Sequence, residues 1–184
     1  MLMSYALPTF LPGKLTLVRG CARDYAALEQ FHYIAKRPAT WAAVWVVRYQ
    51  SARDVNFSSN HDLSRPVAVA VLSYPVPSCR ARERALGIGS LSRKEKLVIV
   101  NQQVRTISRV VVHPQFRSLG LSSMLVRCLC DHCDTRYIEA IAMMARAHPF
   151  FERAGMRRIE PENRNDPVYF ILDRATPVSL SKAA

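Results

Sequence analysis

Apolar and polar positions along this chain recur with two periods, and these periods predict most of its secondary structure. Short runs dominated by valine, isoleucine and leucine are typical of half-buried or buried strands. One longer segment, Leu121–Cys133, has apolar residues at i, i+3, i+4, i+7 and i+8, the spacing of one helical face. The predicted strands are Leu15–Arg19, Trp41–Tyr49, Pro66–Tyr74, Arg105–His113, Arg136–Ala145 and Val168–Asp173. The predicted helices are Tyr25–Ala35, behind an N-cap at Asp24, then Leu121–Cys133 and Pro149–Ala154.

The order of these elements predicts an α+β fold with a mixed central sheet and helices on both of its faces. Trp41–Tyr49 and Pro66–Tyr74 form a natural antiparallel hairpin. Arg105–His113 and Arg136–Ala145 are joined through a loop and a helix, a crossover that makes them parallel. No shift in composition marks a boundary, so a single domain is expected over residues 1–184, with a frayed tail from about 175 to 184.

A basic insertion, at about residues 79–96, interrupts this pattern and is expected to be mobile or partly helical. Its cations are Arg80, Arg82, Arg84, Arg93, Lys94 and Lys96. The ordinary interpretation of such a run is a solvated loop. The alternative is a clamp on a phosphate backbone, to which Lys36 and Arg37 would also contribute.

Charge adds weight to the second interpretation. The chain has 26 lysines and arginines against 14 acidic residues, a formal net charge of +12. Arginine predominates, and its planar fork suits phosphate. The excess favours a polyanionic partner, nucleic acid and DNA first, over a charge that serves only solubility or an anionic cofactor. Composition leaves the oligomeric state open, a dimer included.

The cysteines and the apolar runs bear on the compartment. Five cysteines are an odd number, and three of them lie in Cys128–Cys133, which is not a secreted disulfide framework. No apolar run is long enough to span a bilayer, and the first residues lack a basic leader. We therefore expect a cytoplasmic protein that does not enter a membrane.

One stretch, "ISRVVVHPQFRSLGLSSML" from Ile107, resembles the central motif of the GNAT N-acyltransferases. In that family a strand leads through a [QR]-x-x-G-x-[GA] loop into a helix, and the loop here is Arg117, Ser118, Leu119, Gly120, Leu121 and Ser122. The resemblance implies acetyl-CoA or another acyl-CoA as cofactor, with its pyrophosphate on this loop. It also implies that the backbone of Val110, Val111 and Val112 pairs with the pantetheine arm. Ser122 departs from the usual glycine or alanine but keeps a small side chain.

A second stretch, "AIAMMARAHPFFERAGM" from Ala140, is similar to the next GNAT strand and the short helix that closes over coenzyme A. In many members a tyrosine on that helix protonates the thiolate leaving group. This chain has Phe150 and Phe151 there, and phenylalanine cannot act as a general acid. Another group must do this work, or the reaction is not ordinary amine acetylation.

Three residues are candidates for that chemistry: His32 and Tyr33 late in the first helix, and Glu139 inside an apolar strand. The alternatives are a packed aromatic cluster for the pair and a structural salt bridge for the carboxylate. With the charge, the trio resembles the Mom DNA-modification proteins of phage Mu and its relatives. That resemblance implies a carbamoylmethyl group added to adenine, and an iron ion held by these three residues.

Cys128, Cys130, His132 and Cys133 also have zinc-binding side chains, but one short helix cannot arrange four ligands tetrahedrally. The sequence thus predicts a GNAT-fold acyl-CoA-dependent transferase acting on nucleic acid, with adenine in DNA as the best single target. Two alternatives stay open. One is a conventional N-acetyltransferase of a protein, an aminoacyl-tRNA or a small amine; the other is a GNAT-like module that binds nucleic acid without catalysis.

Overall fold

A computed structural model describes residues 3–5, 13–33, 36–52, 64–143, 148–163 and 165–175. Its strands are β1 Met3–Tyr5, β2 Gly13–Arg19, β3 Ala43–Ser51, β4 Arg65–Ser73, β5 Val104–Val112, β6 Tyr137–Ala142, β7 Arg157–Ile159 and β8 Val168–Asp173. Its helices are α1 Ala22–Ala26, α2 Arg80–Leu86, α3 Arg93–Gln103, α4 Leu121–His132 and α5 Phe150–Arg153. Single 3-10 turns lie at Glu29–Phe31 and Pro114–Phe116.

The strands form one eight-stranded sheet in the order β1-β2-β3-β4-β5-β6-β8-β7. Among its neighbouring strands β5 and β6 alone run parallel, as the crossover through α4 requires. The predicted mixed α+β architecture is therefore confirmed. No helix within the described ranges is both long and apolar enough to cross a membrane.

The first helix differs most from the sequence prediction. It begins at Ala22 and ends at Ala26. Asp24 therefore lies inside the helix instead of preceding it. The Asp24 carboxylate accepts a hydrogen bond from the backbone N–H of Cys21 and bonds to Arg48. After Phe31 the chain becomes extended at His32, and the predicted end of the helix at Ala35 falls outside the described residues.

The basic insertion is helical over most of its length, in agreement with the expected partial helicity: α2 lies within it, and α3 begins in it and extends to Gln103. A reciprocal pair of hydrogen bonds between Ser92 and Glu95 caps the start of α3. Gly87 ends α2 with a φ of 67°, the left-handed conformation that favours glycine after a helix. The sequence pattern did not reveal β1 and β7, each three residues long.

Each face of the sheet has its own apolar core. Ala68, Ala70 and Leu72 of β4 belong to the larger cluster, which α4 and α5 complete. Val69 and Val71 alternate with them and belong to the second cluster, with residues of α1. Side chains that share a face with Val71 therefore look away from α4.

A fully buried ion pair joins α2 to this second face. The guanidinium of Arg82 donates to both carboxylate oxygens of Glu139, from Nε at 2.8 Å and from Nη2 at 2.7 Å. Thr106 and Tyr169 each donate a further bond of 2.7 Å to the same carboxylate. Burial and the Glu139 charge raise the pKa of Tyr169 well above its usual range, so its hydroxyl remains a donor.

This pair decides between the interpretations offered for its two residues. Glu139 is 0% exposed and Arg82 is 1% exposed. The structural salt bridge is thus the correct interpretation of Glu139. The assignment of Arg82 to nucleic-acid binding is wrong, because a sealed guanidinium cannot reach a phosphate.

Removing one charge of this pair should be costly. We expect Glu139→Gln to lower the free energy of unfolding by about 3 kcal/mol, because Arg82 keeps a buried charge with no counterion. Asp173→Asn is the matched control, since Asp173 accepts the same two-pronged bond from Arg136 at an exposed site. Its effect in urea unfolding should be much smaller. Equal losses in the two variants would contradict this account of Glu139.

Candidate active site

The sheet opens between β5 and β6. The two strands pair over four registered residues, Val104–Ile107 with Tyr137–Ala140. β5 then continues to Val112 and remains paired with β4 alone among the described strands. The backbone of β5 from residue 108 to residue 112 is therefore available on its β6 side to an extended ligand.

A β-bulge lies at the residue where the strands part. Val71 pairs with Arg109 and Leu72 pairs with Ile107, so Ser108 is the extra residue on β5. The hydroxyl oxygens of Ser108 and Ser73 are 2.6 Å apart, and Ser73 donates to the carbonyl of Thr40 at 2.6 Å. These bonds fix the bulge and attach it to the segment that covers it.

The loop after β5 presents backbone amides at the open end of the cleft. Ser118 and Gly120 both have positive φ, 67° and 74°. Gly120 is the N-cap of α4, and no side chain caps that helix. The first amides of a twelve-residue helix are thus open to an anion. A Cβ added at Gly120 would meet nothing within 4 Å, so the space before this turn is empty.

The remaining residues of the loop are also compatible with an anion at the start of α4. Arg117 is exposed, and its Nε lies 3.4 Å from the carbonyl of Val112. Leu119 packs against the larger core and anchors the turn. Leu121 is buried and Ser122 is half-buried at the start of α4. The arrangement suits a pyrophosphate, and the cofactor contacts of Val110–Val112 and Arg117–Ser122 stay predictions.

α5 lies beside α4, where the resemblance predicts a closing helix. Arg127 of α4 donates to the carbonyl of Arg153 at 2.9 Å. Phe151 is buried and stacks on Phe170, with ring centroids 4.8 Å apart. Phe150 is half-buried against Phe151. Neither ring carries a proton to give, so neither phenylalanine of α5 can act as a general acid.

On the opposite face, the segment after α1 runs across β5. Phe31 packs edge-on against His113, with centroids 4.7 Å apart. Further along the segment, the carbonyl of Lys36 accepts a bond of 2.6 Å from Arg109 Nη2. His32 and Tyr33 lie between these two anchors and stack on each other at 4.7 Å. Tyr33 is 59% exposed. Phe31 and Lys36 thus contact the open half of β5 on the face away from α4, and His32 and Tyr33 lie between them in the chain.

Glu139 does not join His32 and Tyr33. Both of its oxygens are occupied by Arg82, Thr106 and Tyr169 within the sheet. The described part of the chain contains no group of three His, Cys, Asp or Glu side chains that could hold a metal ion. The three residues proposed as iron ligands are therefore not one site, because a sealed carboxylate cannot reach an exposed tyrosine.

The cations of the insertion and its neighbours divide into two groups. Arg84 bonds to Glu162, Lys96 to Glu83 and Arg37 to Glu29, so part of their charge is compensated locally. The others are exposed and have no carboxylate partner among the described residues; they are Lys36, Arg80, Arg93 and Lys94.

The cysteines of α4 are core side chains. Burial raises the pKa of Cys128 to about 11 and that of Cys130 to about 12. Thiols buried in apolar surroundings in this way are unreactive packing groups. His132 meanwhile bonds through Nδ1 to the carbonyl of Cys128 at 2.9 Å.

Two residues of this site were not identified from the sequence, Ser108 and Arg109. The bulge that exposes them is a shift of register between strands that are distant in the chain. The one signal is a charged side chain before the apolar run Val110–Val112.

Comparisons with known proteins agree with this geometry. The profile of the acetyltransferase (GNAT) family matches residues 41–156, and the chain belongs to that family. No curated protein matches the chain at a significant level.

Solved structures of similar fold include NAA60 of Arabidopsis thaliana in complex with acetyl-CoA. It has a TM-score of 0.57 and 12% identity, over 86% of this chain and 99% of that chain. An IAA acetyltransferase from Bacillus cereus has a TM-score of 0.52 and 10% identity, over 86% and 99%. The NatC complex bound to Gag peptide and CoA has a TM-score of 0.51 and 14% identity, over 86% and 98%. At such identities the likeness shows the fold alone.

Glycine 120 allows a direct test of the loop. Gly120→Ala should weaken coenzyme A binding about tenfold, because its Cβ would fill the space before the amides and strain the turn. Gly87→Ala is the matched control: its φ is 67°, its Cβ also meets nothing within 4 Å, and it ends α2. Calorimetric titration with coenzyme A measures both dissociation constants. Equal weakening would mean that strain alone is responsible and that the loop does not bind the cofactor.

Proposed function

We propose that this protein is an acetyl-CoA-dependent N-acetyltransferase whose acceptor is an amine. One observation carries the proposal: an open backbone edge on β5 ends at an uncapped helix N-terminus. This arrangement suits a long ligand that is amide-bearing at one end and anionic at the other. Acyl-coenzyme A has that form.

The donor and the acceptor would approach from opposite faces of the sheet. The pantetheine arm would pair with Val110–Val112, and the pyrophosphate would bind at Arg117–Ser122. The thioester would then lie near Ser108, where β5 and β6 part. The acceptor would enter past the segment that contains His32 and Tyr33.

In the reaction, a C–N bond forms to the acceptor and the C–S bond of the thioester breaks. The amine gives up one proton, and the thiolate gains one. We assign the proton for sulfur to the exposed hydroxyl of Tyr33, since Phe150 and Phe151 cannot supply it. His32, stacked on Tyr33, is the proposed base.

Tyr33→Phe should lower kcat about a hundredfold, because general acid catalysis by one side chain contributes roughly that much or more. The dissociation constant for coenzyme A should not change. Tyr74→Phe is the matched control, since Tyr74 is 53% exposed and follows β4 at the closed end of the sheet. Stopped-flow measurement gives the rate of acetyl transfer in each variant. Equal rates in Tyr33→Phe and Tyr74→Phe would show that Tyr33 is not the general acid.

The proposal as a whole is tested by thiol release from acetyl-CoA with a panel of amines, peptide N-termini and aminoglycosides. We expect coenzyme A release that depends on the acceptor, with an N-acetyl product in mass spectrometry. Tight coenzyme A binding without turnover of any acceptor would contradict the enzyme and favour a binding module.

A nucleic-acid acceptor is the second candidate, including the modification of adenine in DNA. The net charge of +12 and the exposed side chains of Arg80, Arg93 and Lys94 favour it. Nucleoside mass spectrometry of DNA from expressing cells tests it directly. A modified adenine that disappears in Tyr33→Phe would support it, and unmodified DNA beside active amine acetylation would exclude it.

A further inference from the structure

Arg109 is the one charged side chain on the part of β5 that has left β6. It follows the bulge at Ser108 and pairs with Val71, so it lies on the face that α1 covers. Ile141 of β6 shares that face, because it alternates with Ala140 and follows Glu139 by two residues. Ile141 is 42% exposed. The acceptor side of the opening therefore has a cation on one strand and an apolar side chain on the other.

The guanidinium of Arg109 is held in place but is not neutralised. Nη1 donates to the carbonyl of Ser108 at 2.6 Å, and Nη2 donates to the carbonyl of Lys36 at 2.6 Å. No ion pair of Arg109 occurs within the described residues. Asp24, Glu29 and Glu139, acids of the same side of the sheet, are each bonded to another arginine.

Part of the hydrogen-bonding capacity of Arg109 is also unused. A guanidinium has five N–H bonds, and two of them have acceptors here. Nε is buried and has no partner in the described structure. The stem is thus enclosed by protein while the side chain as a whole stays half-buried. The buried guanidinium of Arg82, by contrast, donates from Nε and Nη2 to a single carboxylate, that of Glu139.

We propose that the acceptor amine belongs to a molecule that also carries an anionic group, a carboxylate or a phosphate, and that Arg109 binds this group. The inference rests on the proposed acetyl transfer and adds to it a class of substrate. The anion of the acceptor would neutralise the guanidinium of Arg109. The exposed side chain of Ile141 would contact the carbon chain between the anion and the amine. Lys36, exposed beside Arg109, adds to the attraction.

The test compares acceptors that differ mainly in this charge. A series of ω-amino carboxylates in which several methylene groups separate the carboxylate from the amine is measured against the corresponding amides, and O-phosphoethanolamine is measured against 2-methoxyethylamine. At that separation the carboxylate changes the basicity of the amine little, and the rates of the phosphate pair are compared per unprotonated amine. We expect kcat/KM to favour the anionic member of one pair by about 10- to 100-fold, the range for hydrogen bonds to a charged group. Which series shows the preference tells carboxylate from phosphate.

Variants of Arg109 assign the preference to this side chain. Arg109→Gln should bring the ratio of kcat/KM for the anionic and the neutral acceptor close to one. Arg109→Lys should retain part of the preference, because lysine keeps the charge but not the planar pair of donors. Arg23→Gln, which removes an exposed charge from α1 on the same side, should leave the ratio as in the wild type. Wild-type ratios near one in every pair, or a full preference in Arg109→Gln, would overturn the inference.

A binding measurement keeps this test independent of turnover. The N-acetyl products of the same pairs are titrated into the coenzyme A-loaded protein by calorimetry. Preferential binding of the anionic product that is lost in Arg109→Gln supports the anion site even if no amine turns over, an outcome that would count against the proposed function alone. Acetylation of amines with no preference for the anionic acceptor would support the proposed function and count against the anion site at Arg109.

Discussion

The carboxylate of Glu139 joins three strands and a helix just below the point where the sheet opens. It accepts bonds from Thr106 of β5, Tyr169 of β8 and Arg82 of α2. One residue further along, the last pair between β5 and β6 is formed, and beyond it the strands part. The buried ion pair thus lies across the closed half of the split sheet, and it also attaches the insertion that contains α2 to the sheet.

The same pair shows why net charge alone does not identify the cations that can bind a ligand. Of the arginines that suggested a phosphate clamp, Arg82 is internal and Arg84 is paired with Glu162. Arg109, absent from that set, is half-buried and has no carboxylate partner among the described residues. A count of charges gives the sign of the field around a protein. The position of each cation relative to an acid decides which of them can meet a ligand.

The sequence predicted the fold well where local patterns decide it. β8 has the expected bounds, Val168–Asp173, and the motif around Gly120 lies between the expected strand and helix. It failed where distant residues decide. Asp24 was expected to precede the helix as its N-cap, but it is the third residue of α1, where its carboxylate bonds to the backbone N–H of Cys21 and to Arg48, 24 residues away. The partner of Glu139 lies 57 residues away, and the bulge at Ser108 is a property of two strands together. No period along one segment contains that information.

In the proposed function, the split sheet would separate the two substrates of the transfer reaction. Residues 108–112 of β5 expose backbone groups within the sheet, so a ligand lying there can be reached from either face. α4 packs on one face with α5 beside it, and Phe31, the Lys36 carbonyl and Thr40 lie on the other. Because neither Phe150 nor Phe151 can donate a proton, the proposed function assigns proton transfer to Tyr33, on the second face. Acid, base and acceptor recognition would then all lie on one side of the thioester. An anchor such as Arg109, fixed to the strand itself, can orient an acceptor there without depending on a mobile side chain.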